Sequence, residues 1–172
     1  MATSDSKTWN FLNSPFGLFI LSSVLLSGMA RLYTDHQSKL ELARLLATEK
    51  FKLAAEFDHR LAAVAYHARA MRLPNQPPEE IQGQAVLLWR VVTGDPAFQP
   101  AMPEFKGCHW YGIVSRLQIL GEINGADSAL KAIEELEHGK GREWNYEGRL
   151  LDESLDALGN YRAALAKSLR LG

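Results

Sequence analysis

The chain has 172 residues, of which 47% are hydrophobic and 23% charged, a composition typical of a globular protein rather than a disordered one. Its 19 basic and 20 acidic residues give a net charge of −1, which argues against a nucleic-acid partner because such proteins need a basic face. The single cysteine, Cys108, excludes an internal disulfide. The length corresponds to one domain, with little left over once a membrane segment is removed.

An uncharged run over residues 16–30 predicts a transmembrane helix from Pro15 to Tyr33, behind a short N-terminal tail. A helix of about 19 residues is roughly 28 Å long, which just crosses the hydrocarbon core of a bilayer. Pro15 suits the first turn of a helix, where its missing N–H is not needed. Trp9 and Tyr33 are aromatic residues at the two ends, as expected at the two membrane interfaces.

Two other interpretations of this run stay open. Gly28 and Ala30 are small residues at the −3 and −1 positions of a possible cleavage site, which would make the run a signal peptide and the rest a secreted or periplasmic helical domain. The first 15 residues carry only one Lys and one Asp, so the basic region of a signal peptide is weak. A buried core helix is the other alternative, because the run is near the lower length limit for a span.

Basic residues are distributed unevenly around the predicted span. Lys7 precedes it, whereas Arg31, Lys39, Arg44 and Lys50 follow it closely. By the positive-inside rule the domain behind the span is expected on the cytoplasmic side.

Small residues within the span suggest a face for another helix. Ser23 and Ser27 form a small-xxx-small pair with Gly28 beside it, a pattern that lets two helices approach closely in lipid. The predicted partners are therefore membrane lipid and either another protein or a second copy of this chain, bound through the transmembrane helix.

The stretch Phe11-Leu-Asn-Ser-Pro-Phe-Gly-Leu-Phe-Ile-Leu-Ser-Ser-Val24, followed by the Arg-Leu-Tyr-Thr that ends at Thr34, resembles the N-terminal anchor of small, uncharacterised bacterial single-pass membrane proteins. In those proteins, too, an Asn-Ser-Pro-Phe turn leads an apolar run with a Leu-Ser-Ser-Val core. The resemblance covers about residues 9–35 and implies a protein of the bacterial inner membrane. It implies no activity, cofactor or catalytic residue.

A long, stalk-like helix of coiled-coil character is predicted over residues 34–73, because apolar residues recur there at steps of three and four, apart from one seven-residue gap at Glu49–Lys50, and no Gly or Pro interrupts them before Leu73. Its polar face is expected to carry Lys39, Arg44, Lys52, Glu56 and Arg60. The apolar face comprises Leu42, Leu46, Leu53, Phe57, Leu61, Val64, Ala68 and Met71.

Residues 74–172 are predicted to form a small helical hairpin or bundle, so the fold class is all-α. Prolines and glycines mark a loop over residues 94–108, with Phe98, Met102 and Phe105 inserted into the core. A helix starting at Trp110 could also be a strand, because the segment is rich in β-branched and aromatic residues. Further helices are predicted over Pro78–Val92, around Leu130, Ile133 and Leu136, and from Leu151 to Leu169.

Two Glu-x-x-His pairs, Glu56 with His59 and Glu135 with His138, have the spacing of ligands in di-iron helical bundles. A helical metal-binding protein or enzyme is therefore the alternative function. Di-iron ligands must project into the bundle core, however, and at about 100° per residue both pairs are expected to lie off the apolar faces of their helices. The sequence thus favours solvated helix surfaces over a metal site.

Cys108 and His109 are the remaining candidates for chemistry, as a thiol–imidazole pair or a poor metal site. Adjacent side chains rarely converge, and a nucleophile needs hydrogen-bond contact with its base. A small, packed cysteine beside a surface histidine is the favoured interpretation. With no cofactor motif and no convergent catalytic set, the sequence predicts a membrane-anchored helical interaction or accessory protein.

Overall fold

The computed structural model describes residues 14–138 and 148–170, and over these ranges the protein is all-α, as predicted. Residues 110–119 are helical, which decides against the alternative strand. Trp9 lies outside the described residues. The described helices are α1 (Pro15–Ala70), α2 (Pro78–Thr93), α3 (Trp110–Ile119), α4 (Ala126–His138) and α5 (Gly148–Arg170), with a 3-10 turn at Pro103–Phe105.

The transmembrane helix predicted from Pro15 to Tyr33 is not supported. Among the residues that the structure describes, no helix is long and apolar enough to cross a membrane. α1 begins at Pro15 as expected, but it continues past Tyr33 to Ala70. The uncharged run ends at Arg31, and its fifteen residues, from 16 through 30, extend only about 22 Å, against about 30 Å for a hydrocarbon core.

The chain separates into two units, Met1–Leu45 and Leu46–Gly172. In the first unit, large apolar side chains of α1 are exposed to solvent. The apolar face predicted for the long helix is buried only in part: Leu42 and Leu46 are exposed, and among the described side chains of α1 the buried apolar residues begin at Leu53. The large apolar side chains that are described in the first unit and exposed are Phe19, Val24, Leu25, Leu26, Met29, Leu32, Tyr33, Leu40, Leu42 and Leu45.

The core of the second unit is assembled around Phe57 of α1. The Phe57 ring meets the Trp110 ring of α3 at a centroid distance of 5.4 Å and the edge of the Tyr161 ring of α5 at 5.2 Å. All three side chains are fully buried, so one aromatic cluster joins three helices. Other core side chains include Leu53, Val64, Leu88, Ile113, Leu117, Ile133, Leu136 and Leu158.

α2 is defined by its two ends. Pro78 occupies the first turn, and Glu79 and Glu80 place negative charge at the positive end of the helix dipole. Gly94 ends the helix in the left-handed region at φ 71°, and its N–H donates to the carbonyl of Arg90. A Cβ at Gly94 would collide with the backbone carbonyl of Cys108, so this position requires glycine both for its conformation and for the close approach of the loop.

Gly94→Ala should therefore destabilise the protein by about 2–4 kcal/mol, combining backbone strain with a displaced loop. Gly107 has φ 75° with open space around it, so Gly107→Ala isolates the conformational penalty, which is about 1 kcal/mol. Urea unfolding of both variants measures the difference. Equal losses at the two positions would show that the contact with Cys108 has no energetic role.

Two polar atoms of the aromatic cluster are buried without a hydrogen-bond partner within the described ranges, Nε1 of Trp110 and the hydroxyl of Tyr161. Burial also raises the pKa of Tyr161 to about 12, because the phenolate form would lack solvation. The ring of Tyr161 contributes packing, whereas its hydroxyl pays a desolvation penalty without compensation.

Tyr161→Phe is accordingly expected to leave stability unchanged or to raise it by up to about 1 kcal/mol, since it removes only the unpaired hydroxyl. Tyr161→Leu, which removes the ring contact with Phe57, should be clearly destabilising. Thermal unfolding compares the two. A large loss for Tyr161→Phe would mean that the hydroxyl has a partner that stabilises the fold.

Candidate functional site

The most densely bonded polar site of the second unit is a buried ion pair on α1. Glu56 and Arg60 lie one helical turn apart and are both fully buried, and Nε of Arg60 donates to Oε1 of Glu56 at 2.7 Å. Nη1 of Arg60 donates to the carbonyl of Val91 at 3.0 Å and Nη2 to that of Phe105 at 3.4 Å. Oε2 of Glu56 accepts the N–H of Ala101 at 2.7 Å. The pair thus joins α1, the end of α2 and the following loop.

Neighbouring residues extend this contact along the same face of α1. The guanidinium of Arg60 lies 5.1 Å from the centre of the Phe98 ring, a cation–π contact. Nε2 of His59 is 3.0 Å from the carbonyl of Gln99. Lys52, two turns before Arg60, forms an exposed salt bridge of 2.9 Å with a loop carboxylate. We call Lys52, Glu56, His59 and Arg60, with the loop residues 98–105, the loop clamp.

The salt bridge at the edge of the loop clamp shifts both of its partners. The hydrogen bond and charge of Glu104 raise the pKa of Lys52, and the hydrogen bond to Lys52 lowers the pKa of Glu104. Both groups are exposed to solvent, so this pair contributes little to stability.

The loop clamp corrects one prediction from the sequence. Glu56 and Arg60 were expected on a solvated face of the long helix, but both are buried because residues 98–105 cover that face. A Glu and an Arg one turn apart are also the pattern of a surface ion pair, so the spacing alone does not reveal burial. The prolines and aromatic residues of the loop were the feature of the sequence that could have indicated that this loop packs against α1.

Glu56 and His59 are not arranged as metal ligands. The two carboxylate oxygens of Glu56 are engaged by Arg60 and Ala101, while His59 is exposed and contacts a backbone carbonyl. Within residues 14–138 and 148–170, no group of three or more His, Cys, Asp and Glu side chains could hold a metal ion.

The second Glu-x-x-His pair is exposed on α4, in agreement with its predicted position off the apolar face. Glu135 is 3.8 Å from Nζ of Lys131, and Nδ1 of His138 is 2.8 Å from the carbonyl of Glu134 in the last turn. The two pairs therefore do not converge on one site, since Glu56 is buried under the loop.

Cys108 and His109 make separate contacts and do not pair with each other in the described contacts. Nδ1 of His109 accepts the N–H of Tyr111 at 3.1 Å and so caps the start of α3, while its Nε2 lies 3.1 Å from a carboxylate oxygen of Glu137. With Nδ1 as an acceptor, Nε2 carries the proton and donates to Glu137. The thiol of the half-buried Cys108 instead approaches the carbonyl of Glu104 at 3.9 Å. His109 is thus a capping residue with both ring nitrogens occupied.

An open groove of about 520 Å³ lies between α1 and α5. Asp58 and Arg162 line it and neutralise each other through two hydrogen bonds of 3.0 and 3.1 Å. Small side chains form most of the remaining surface, which suits packing rather than acid–base or nucleophilic chemistry. The other lining residues are Phe51, Ala54, Ala55, Gly159, Ala163, Leu165, Ala166 and Leu169.

In the first unit, several hydroxyl groups of α1 donate hydrogen bonds to backbone carbonyls of the same helix. Ser23 donates to the carbonyl of Phe19 at 2.8 Å, Ser27 to that of Ser23 at 2.7 Å, and Thr34 to that of Ala30 at 2.9 Å. Such back-bonding leaves no hydroxyl proton that needs water or a partner.

Gly28 and Tyr33, which were also predicted to pack against lipid or another helix, are not covered by other described residues. A Cβ at Gly28 would meet nothing within 4 Å, and Tyr33 is exposed and accepts a hydrogen bond from Gln37 at 2.7 Å. The small-residue face around Ser23, Ser27 and Gly28 therefore remains a predicted contact surface.

Comparison of the chain with protein-family models, with curated proteins and with solved structures finds no match.

Removing either Glu56 or Arg60 should leave the other charge buried without a counter-ion. Arg60→Met is expected to cost about 3–5 kcal/mol of unfolding free energy, because the carboxylate of Glu56 loses its counter-ion. Adding Glu56→Gln should restore part of the loss. The control is Arg162→Met, which breaks the exposed pair with Asp58 and should cost less than about 1 kcal/mol. Similar losses for Arg60→Met and Arg162→Met in chemical unfolding would contradict the structural role of the loop clamp.

Proposed function

We propose that this protein is a membrane-attached helical accessory protein, which holds its second unit at the bacterial inner membrane through the N-terminal part of α1. The observation that carries the proposal is the surface of α1 before Arg31. Its described large apolar side chains are exposed, and Phe19, Leu26 and Met29 each have about two thirds of their surface accessible, at 68%, 67% and 67%. An exposed apolar surface of this kind is typical of a contact with a membrane or with another protein.

The polar groups of this segment are compatible with lipid. The backbone is helical, so its N–H and C=O groups are paired internally, and the hydroxyls of Ser23 and Ser27 are bonded to backbone carbonyls. The uncharged run is shorter than a hydrocarbon core. A short helix is accommodated by local thinning of the bilayer, and Arg31 can extend its charged end toward the headgroups.

The proposed accessory role is supported by the surfaces and polar clusters of the second unit. Its densest polar cluster, the loop clamp, is used to hold a loop, and the candidate groups Cys108 and His109 are engaged in local contacts. The groove between α1 and α5 presents small apolar side chains and a neutral ion pair. These surfaces suit the binding of another protein more than the conversion of a substrate. The excess of basic residues after the run favours a cytoplasmic position for this unit.

A charge placed within the apolar segment tests the attachment. Leu26→Arg should move the full chain from the membrane pellet to the supernatant, because an arginine in the bilayer costs roughly 3 kcal/mol, or about a hundredfold in partition. Leu45→Arg is the matched control, since Leu45 is equally exposed at 68% but lies beyond Arg31 among charged residues. It should stay in the pellet.

Release of both variants, or of neither, would contradict attachment through the segment before Arg31. The intact mass of the protein from cells is the second readout. A mature chain that starts at Arg31 would show that the run is removed as a signal peptide and would overturn the proposal.

A further inference from the structure

Three helix ends meet at the backbone of Cys108 and His109. Gly94, which ends α2, lies so close to this backbone that a Cβ there would collide with the carbonyl of Cys108 and lie 3.1 Å from the N of His109. α3 starts directly after His109, and the ring of His109 contacts Glu137 in the last turn of α4. A change in the His109 ring therefore acts at a junction of α2, α3 and α4.

The two ring nitrogens of His109 have different roles at this junction. Nδ1 accepts the N–H of Tyr111 at 3.1 Å and caps α3, and Nε2 donates to the carboxylate of Glu137 at 3.1 Å. Both contacts together require the neutral ring, because an imidazolium carries an N–H on each nitrogen and accepts no hydrogen bond. Protonation of the ring would point the new N–H of Nδ1 at the N–H of Tyr111, so the cap cannot persist.

We propose that His109 is a proton-operated switch at the start of α3, a cap when the ring is neutral and an ion-pair partner of Glu137 when it is protonated. Histidine is the side chain whose charge ordinarily changes between pH 5 and 8. The side chain of His109 is 34% exposed, so protons reach it from solvent. The switch frees the N–H of Tyr111 and loosens the first turn of α3, while the link to α4 stays in place.

Charges around the ring act on the two states in different ways. Glu137 faces Nε2 from α4, and its carboxylate binds an imidazolium more strongly than a neutral ring. A positive charge at the first turn of α3 is unfavourable for the helix dipole, which adds to the loss of the cap. Within the described ranges, the other charged or titratable side chains on the adjoining elements have no hydrogen bond or ion pair with His109. These are Asp95, Glu104, Lys106, Arg116, Glu134 and His138.

The test follows the amide of Tyr111 by NMR in the full chain, purified in detergent, while the pH is lowered through the titration of the His109 ring. The ring's own carbon signals report its protonation. Hydrogen-exchange protection of Tyr111, corrected for the intrinsic exchange rate, should fall on the order of fivefold, the effect of losing an N-cap. The control is Ala129, whose N–H bonds to Gly125 at the start of α4 and should keep its protection.

Protection of Tyr111 that does not follow the titration of the ring, or an equal fall at Ala129, would overturn the proposal. The form of the neutral ring is a second readout. A spectrum that correlates ring protons with ring nitrogens should place the proton on Nε2. A neutral ring with its proton on Nδ1 could not cap Tyr111 and would also overturn the proposal.

Two variants separate the proton on His109 from the charge beside it. Asparagine is a favoured N-cap and does not titrate, so His109→Asn should keep Tyr111 protected over the whole pH range. Glu137→Gln retains an acceptor for Nε2 without the negative charge, and Tyr111 should still lose protection when the ring is protonated. Neither His109 nor Glu137 belongs to the buried core, so both variants are expected to fold.

A pH dependence that persists in His109→Asn would assign the effect to another group and refute the switch. Loss of the pH dependence in Glu137→Gln, while the ring still titrates, would refute it as well, because the charge of Glu137 and not the proton on Nδ1 would then break the cap. The switch lies within the second unit, so these results are independent of the proposed membrane attachment.

Discussion

The second unit depends on the buried ion pair of Glu56 and Arg60. Removing two charges from water is expensive, and their mutual attraction offsets this only when the remaining donors and acceptors are also satisfied. Here a backbone N–H from the loop satisfies the second oxygen of Glu56, and two backbone carbonyls accept from Arg60. The loop residues 98–105 are therefore part of the fold, because displacing them would leave two buried charges incompletely paired.

This requirement explains why a loop with little regular structure has a defined path. Arg60 donates to two backbone carbonyls, that of Val91 in α2, before the loop, and that of Phe105 in the 3-10 turn, at the end of loop residues 98–105. Gly94 allows the chain to leave α2 and pass against the backbone of Cys108. Phe98 covers the guanidinium from one side. Hydrogen bonds and ring contacts with side chains of α1 therefore hold the loop in place.

Local signals in the sequence were sufficient for α2 but not for the loop clamp. Proline at position 78 and glycine at position 94 define α2 by backbone chemistry that acts within a few residues, so the boundaries were predictable. The burial of Glu56 depends on Ala101, which lies 45 residues further along the chain. A pattern confined to one helix cannot distinguish a pair that is covered by a distant loop from one that is solvated.

The same limit explains why the apolar face of the long helix is buried only in part. Leu42 and Leu46 share the three- and four-residue spacing of Leu53 and Phe57, yet only the latter two are buried. Spacing predicts which side of a helix is apolar, whereas burial requires a second element within reach. The charged residues around Lys39 and Arg44 likewise do not indicate at which residue of α1 burial begins.

The surroundings of α1 differ along its length. From Leu53 onward, residues of the same chain cover it, and the cost of ordering the helix is offset by burial. Before Arg31 the described large apolar side chains of α1 are exposed instead. Exposed apolar surface of this extent is typical of a contact with a membrane or with another protein, which is why these side chains support the proposed membrane attachment.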